Sequence, residues 1–426
     1  MLKTQHIRDH KDDVIRSLKI RNWKEENLSI IDQVIATDDK RKSTQTELDE
    51  ILSQLNNSSK QIGELYKKGD REEADKLKQE IPTIKENSQR LQDILKETKE
   101  SLEGLLLQIP NITHASVPPG KEESDNEVYE ACKTELKSLD DTAIPHWDIA
   151  TKYDIIDMAA GAKITGSGFP VFKGKGARLQ RAFISFLLDE VTDAGYLEVI
   201  PPLLVNEDSA KATGQLPDKE GQMYHAAEDN LYLIPTAEVP ITNLYRDVMV
   251  KEDEFPIKMA GHTPCFRREA GSYGADVKGL NRVHQFDKVE IVQIVHPDKS
   301  YDSLNEMVTL IGHLLNKLEL PYRILRLCGG DIGFTSALTF DFEVYSLAQK
   351  RWLEVSSVSN FETYQTNRLK CRFKDKDGKT RLAHSLNGSA FGLARIMAAV
   401  LENNQTSNGI TIPDVLRKYT GFDNID

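Results

Sequence analysis

A chain of 426 residues is long enough for two or three domains and a sizeable buried core. With 39% hydrophobic and 29% charged residues, and no run near the roughly 18 apolar residues of a membrane span, it reads as a soluble chain without a membrane partner, and the cytoplasm is the default location. A net charge of -12 argues against nucleic-acid binding as a bulk property, so any RNA partner needs local basic surface.

Residues 28–107 hold almost no Gly or Pro and are dense in Glu, Lys, Gln and Ser. Their apolar residues follow a 4-3 spacing: Leu48, Leu52, Leu55, Ser59, Ile62 and Tyr66, then Ala74, Leu77, Ile81, Ile84, Ser88, Leu91, Leu95, Thr98, Leu102 and Leu105. Lys68-Gly69-Asp70 between the two runs is a helix stop followed by an acidic N-cap candidate. The spacing predicts an antiparallel two-helix coiled coil about 60 Å long, at roughly 40 residues per helix, with a local bend near Pro82. Two helices alone bury a thin seam, so such an arm serves reach; a spacer or interaction coiled coil is an equally good reading of this segment by itself.

Composition changes after Leu107, where prolines and small polar residues mark a linker over about 108–140. The expected domains are therefore 1–107 and 108–426. Gly166-Ser167-Gly168 and Gly174-Lys175-Gly176 lack phosphate-loop spacing and read as turns. Residues 178–194 form an amphipathic helix with Leu179, Ala182, Phe183, Phe186 and Leu187 on one face, closed by Gly195 and followed by a strand over 196–205 that contains Pro202. Thr236-Ala237-Glu238 lies between two prolines that prevent regular strand pairing, which places it on a loop.

Residues 263–269 and 283–295 have strand-like composition and flank a Gly-, Ser- and Lys-rich loop, so they predict a long antiparallel hairpin. Alternation along a strand would put Arg267 and Glu269 on one face, with His284, Phe286, Lys288 and Glu290 forming a second row. An isolated R-x-E is most often a solvated ion pair, but a charged row between apolar flanks needs a ligand, a partner or open water. Two further strands are expected at 339–346 and 351–357, with Glu354 and Ser356 on one face and Ser357 after them. A buried helical face carrying Leu393, Ile396, Met397, Val400 and Leu401 follows Gly388 and Gly392 and brings Arg395 near its start. The four cysteines, Cys132, Cys265, Cys328 and Cys371, lack metal-ligand spacing and argue against zinc and against a disulfide framework.

Phe266-Arg267-Arg268-Glu269, the following Gly-bearing loop and the run His284 to Glu290 resemble the second signature motif of class II aminoacyl-tRNA synthetases, and in detail the seryl-tRNA synthetase family. The helix, glycine and proline-bearing strand at 178–205 resemble that class's first motif, a dimer interface, and 384–403 its third. The resemblance covers essentially the whole chain. It implies an α+β fold, in which a coiled-coil arm that clamps the long variable arm of tRNA joins a catalytic domain built on an antiparallel sheet flanked by helices. It implies activation of L-serine with ATP and Mg²⁺, transfer to tRNA(Ser), with tRNA(Sec) as a second substrate the family suggests, and a homodimer.

By the same resemblance Thr236, Ala237, Glu238, Arg267, Glu290, Asn387 and Ser389 bind serine. Arg267, Arg268, Glu269, Val283, Phe286, Glu354, Val355, Ser356, Ser357 and Arg395 bind ATP, with Glu354 and Ser357 on Mg²⁺ and Arg267, Glu269 and Arg395 as the catalytic groups. The family usually has an arginine where Gly168 stands, and many members a lysine where Leu338 stands. A relative that loads a carrier protein would lack the arm, and a non-enzymatic paralogue would have lost charges from the site.

Overall fold

The structure, a computed structural model, describes residues 1–134, 136, 143–218, 220–269 and 278–426. The chain forms two units, residues 1–19 with 23–110 and residues 20–22 with 111–426.

In the first unit α1 (Thr4–Asp9) and α2 (Lys11–Ile20) precede the long helices α3 (Ile30–Lys68) and α4 (Arg71–Leu106). At 39 and 36 residues these span about 55–60 Å, as the heptad spacing predicts. They fold back at Gly69, which has φ +85° and donates its N–H to the carbonyls of the last turn of α3. Asp70 stands at the N-cap of α4, yet its side chain makes no capping bond, and α4 continues through Pro82.

The seam of α4 is as expected, with Ala74, Ile84, Ser88, Leu91, Leu95, Thr98 and Leu102 buried, except that Leu106 and not Leu105 is its last buried residue. On α3 the expected frame holds at Leu48, Leu52, Leu55 and Ile62, but Ser58 and Leu65 are half-buried in place of the exposed Ser59 and Tyr66. Tyr66 can place its hydroxyl in water, where it donates to Asp75 Oδ1 at 2.7 Å, so the aliphatic Leu65 takes the seam. Asp38, almost wholly buried, ties this unit together by accepting ion pairs from Arg41 at 2.8 Å, Lys42 at 3.0 Å and Arg8 of α1 at 3.5 Å.

The second unit is built on one eight-stranded sheet: β1 (Glu127–Glu130), β2 (Leu197–Glu198), β3 (Ile257–Phe266), β4 (Gln285–Val295), β5 (Tyr322–Arg326), β6 (Leu338–Ser346), β7 (Arg351–Glu362) and β8 (His384–Gly392). The order across it is β1-β5-β6-β7-β8-β4-β3-β2, antiparallel except where β2 runs parallel to β3 at the edge. Its helices are α5 (His146–Lys152), α6 (Met158–Ile164), α7 (Gly174–Asp193), α8 (Glu207–Thr213), α9 (Glu238–Asn243), α10 (Ser300–Lys317), α11 (Thr363–Leu369), α12 (Leu393–Asn403) and α13 (Asp414–Thr420). Phe183 and Phe186 of α7, Met307 and Ile311 of α10, and Ile396 and Met397 of α12 pack on the sheet in one core.

The stretch read as a linker carries β1, which pairs with β5 at the sheet edge; residues 135 and 137–140 of it lie outside the described residues. Gly174-Lys175-Gly176 is the first turn of α7, and Gly176 lies too close to the Ile155 carbonyl for any Cβ. Residues 196–205 split between β2 and a three-residue strand of another sheet. Residues 384–392 add a strand the sequence reading did not anticipate.

Candidate active site

The hairpin β3–β4 pairs Phe286 with Cys265 and Glu290 with Gly261. Phe286, Lys288 and Glu290 therefore do share one face, as alternation requires. The strand β3 ends at Phe266, however, so Arg267 and Glu269 are not strand residues; Glu269 has φ +45°. Residues 270–277 of the intervening loop lie outside the described residues.

A cavity of about 480 Å³ opens on this sheet. Of the anticipated residues, Thr236, Glu238, Arg267, Glu269, Val283 and Phe286 line it, and so do Glu354, Val355, Ser356, Ser357, Asn387, Ser389 and Arg395. Arg268 is exposed and does not line it, and Ala237 is buried in a side core with Ile241 and Val292. Glu290 lies directly behind the wall, with no exposed surface.

The buried carboxylates are the unusual feature. Glu290 Oε2 is 2.7 Å from Lys288 Nζ and accepts from Ser389 Oγ at 3.3 Å, while Glu290 Oε1 has no partner among the described residues. An unpaired buried oxygen costs about 1–3 kcal/mol unless something fills it. Glu238 accepts from Gln365 Nε2 at 2.7 Å, and Gln365 is oriented in turn by Ser385 Oγ at 2.8 Å. Burial, with the nearby Glu290 charge adding to it, pushes the Glu238 carboxyl up to about 7. The Glu238 N–H donates to Thr236 Oγ1 at 3.2 Å, so Thr236 and Ala237 lie in the turn that leads into α9 and Glu238 is that helix's first residue.

Cations and a ring line the remaining wall. The Arg267 guanidinium lies 5.3 Å from the Phe286 ring centroid, and its Nε donates to the Pro235 carbonyl at 3.3 Å. Among the described residues its two Nη groups have no protein partner, which leaves them for an anion. Arg395 donates from Nε to the Asn281 carbonyl at 3.0 Å and pairs with Glu354 at 3.3 Å. Glu269 is held by Arg282 at 2.7 Å.

A register shift between Phe342 and Glu343 places both Val355 and Ser356 inside, so Glu354 and Ser356 do not share the face that strict alternation predicts. Ser356 Oγ donates to the Ser389 carbonyl, and Ser357 bonds to Asp341, a carboxylate that burial and the neighbouring Glu354 keep well above its ordinary range.

Sequence reasoning placed Lys288 in the charged row without giving it a task, and it missed Gln365 and Asn281. Those two act through partners 127 and 68 residues away, which no local pattern signals. At Gly168 the His284 ring occupies the space a Cβ would need, 2.6 Å away at φ +82°. Leu338 is a buried core residue opposite Asn360.

A family model for the seryl-tRNA synthetase N-terminal domain matches residues 1–113, and one for the tRNA synthetase class II core domain (G, H, P, S and T) matches residues 222–404. A serine--tRNA ligase of Salinibacter ruber is 48% identical over 92% of both chains. That of Chlorobium phaeobacteroides is 44% identical over 100% of both. The crystal structure of seryl-tRNA synthetase from Pyrococcus horikoshii complexed with ATP superposes with a TM-score of 0.90 at 32% identity, covering 100% of this chain and 99% of that one. Full-length identity, both domain models and the shared fold agree: the chain belongs to the seryl-tRNA synthetase family of class II enzymes.

Proposed function

We infer that the protein activates L-serine with ATP and transfers it to tRNA(Ser). The observation that carries the reading is Glu290: a wholly buried carboxylate with one oxygen satisfied by the cavity-lining Lys288 and Ser389 and the other without a partner among the described residues. A small hydroxyl fills that vacancy, whereas alanine in its place leaves the oxygen desolvated and unpaired, the kind of contrast that discriminates strongly.

The chemistry follows from charge. A serine carboxylate oxygen attacks the α-phosphorus of ATP, the bond to the bridging oxygen breaks, and pyrophosphate leaves. No protein nucleophile or base takes part, so the residues act by positioning and by offsetting charge. Arg267, whose Nη groups have no partner among the described residues and whose guanidinium lies against Phe286, bridges the two anions that must meet. Phe286 and Arg395 hold the adenine between them, Glu269 accepts from its amino group, and Val283 and Val355 border it. Glu238, with Thr236, receives the serine ammonium, and Asn387 and Ser389 complete the side-chain subsite. In the second step a terminal ribose hydroxyl of the tRNA attacks the adenylate carbonyl and AMP leaves.

Among the described residues no cluster of three or more His, Cys, Asp or Glu is placed to hold a metal. Glu354 and Ser357 supply two oxygen donors at the cavity, which suits Mg²⁺ carried by ATP, since that ion keeps waters and phosphate oxygens in most positions. It would neutralise phosphate charge there.

The helical arm of the first unit is the natural tRNA-binding element, and its Lys60, Lys67, Lys68 and Arg71 near the turn are exposed. The family also suggests tRNA(Sec) and a cytoplasmic setting. A homodimer is supported by the exposed apolar residues Leu197 and Ile200, 66% and 88% accessible, at the sheet edge. No helix of the described residues is long and apolar enough to cross a membrane.

The test is pyrophosphate exchange by Glu290→Ala. Serine use should fall far more than ATP affinity, and discrimination against alanine should collapse. Equal losses for serine and ATP would contradict the assignment.

A further inference from the structure

The catalytic unit contains a buried histidine–carboxylate hydrogen bond that the reaction does not use. His146 opens α5 and Glu402 sits near the end of α12, and both are wholly buried. His146 Nδ1 lies 2.6 Å from Glu402 Oε1, and its backbone N–H donates to the same oxygen at 2.9 Å. Burial opposes the Glu402 charge, yet these bonds together with that from Ser346 hold the carboxyl below its ordinary range.

The other ring nitrogen defines what the pair does. Nε2 accepts the Leu280 N–H at 2.8 Å, so it carries the lone pair, and the ring proton is on Nδ1 facing Glu402. The imidazole is flush against the peptide, because a Cβ on Gly279, at φ +65°, would come within 2.3 Å of Nε2. Beside it the Lys278 ammonium lies 4.5 Å from the Trp147 ring centroid. Glu402 reaches the same segment by a second route. Gln349 Nε2 donates to Glu402 Oε1 at 2.9 Å, and Gln349 Oε1 accepts from Asn281 Nδ2 at 3.0 Å. The Asn281 carbonyl in turn accepts from Arg395 Nε at 3.0 Å. Arg395 and Glu402 are two turns apart on α12, so the contacts form a closed ring.

We propose that His146 and Glu402 are positioning residues for the nucleotide half of the site: they clamp the Gly279–Asn281 peptide, and through its carbonyl they aim Arg395. The proposal rests on the reading of Arg395 as an ATP contact. A group that acts by aiming another is felt by the substrate the aimed group touches, which separates it from a purely structural pair.

The experiment measures KM for ATP and for serine separately in pyrophosphate exchange, with wild type, His146→Ala, His146→Gln and Gln349→Ala. Serine-dependent exchange by the wild type tests the site reading independently. The device is read from the variants relative to wild type. His146→Ala should raise KM for ATP about tenfold, the weight of a lost positioning hydrogen bond, with KM for serine within about twofold. His146→Gln, whose side-chain oxygen can accept the Leu280 N–H, should recover part of the loss. Gln349→Ala, on the half-buried turn between β6 and β7, should shift KM for ATP in the same direction, and it carries the test should His146→Ala fail to fold. Parallel rises in both KM values, a fall in kcat alone, unchanged kinetics, or a Gln variant no better than Ala would overturn the proposal.

Discussion

Replacing Glu238 by Gln should make the ligand-free protein more stable while disabling serine activation. In the fold burial raises this carboxyl from an ordinary 4.5 to about 7. A carboxylate whose folded pKa exceeds its unfolded one is penalised as pH climbs between those values, and the penalty levels off above the folded pKa. Two and a half pH units at about 1.4 kcal/mol each amount to about 3 kcal/mol at pH 8, against less than about 1 kcal/mol at pH 5. Gln keeps the bond from Gln365, because its amide oxygen still accepts. At about 2.1 cal/mol/K per residue in a unit of about 320 residues, the gain is a rise of about 5 °C in the melting temperature at pH 8. Calorimetry of wild type and variant without ligands at the two pH values, paired with exchange assays, reads both effects. A variant no more stable than wild type at pH 8, or equally stabilised at pH 5, would refute the argument that an unfavourable buried charge is kept for an ammonium partner.

Other consequences are independent of that one. The wild-type KM for serine should rise as pH falls below about 7, where Glu238 takes up a proton and no longer attracts an ammonium; a flat profile down to pH 5 would count against it. Arg267→Ala should abolish exchange without lowering the melting temperature, and near-normal exchange would remove Arg267 from the mechanism. Gly168→Ala should destabilise by about 1 kcal/mol or more, since it meets both a left-handed backbone and the His284 ring, and a neutral result in denaturant unfolding would show that the ring moves aside. Deleting residues 43–95 should spare adenylate formation and remove tRNA charging, and surviving charging would show that the arm serves another purpose.

What was legible in the sequence was whatever repeats at short range. The 4-3 spacing foretold both long helices and the turn at Gly69, and alternation put Phe286, Lys288 and Glu290 on one face. Errors arose where the period is broken. On α3 either of two adjacent residues could fill alternate seam positions, and Leu65 took the place assigned to Tyr66 because only the tyrosine has a hydroxyl to leave in water. The register shift at Val355 moved Ser356 inside, and the end of β3 at Phe266 took Glu269 off the sheet. Partners distant in the chain left no local mark: Gln365 under Glu238, and His146 beneath Leu280, are visible only once the strands and helices are assembled.

The account depends most on the open oxygen of Glu290, and a crystal structure with a non-hydrolysable seryl-adenylate mimic examines it most directly. The serine hydroxyl should lie within about 3.2 Å of Glu290 Oε1, with the Lys288 contact to the other oxygen retained. A hydroxyl directed elsewhere, with Oε1 still unpaired, would contradict it.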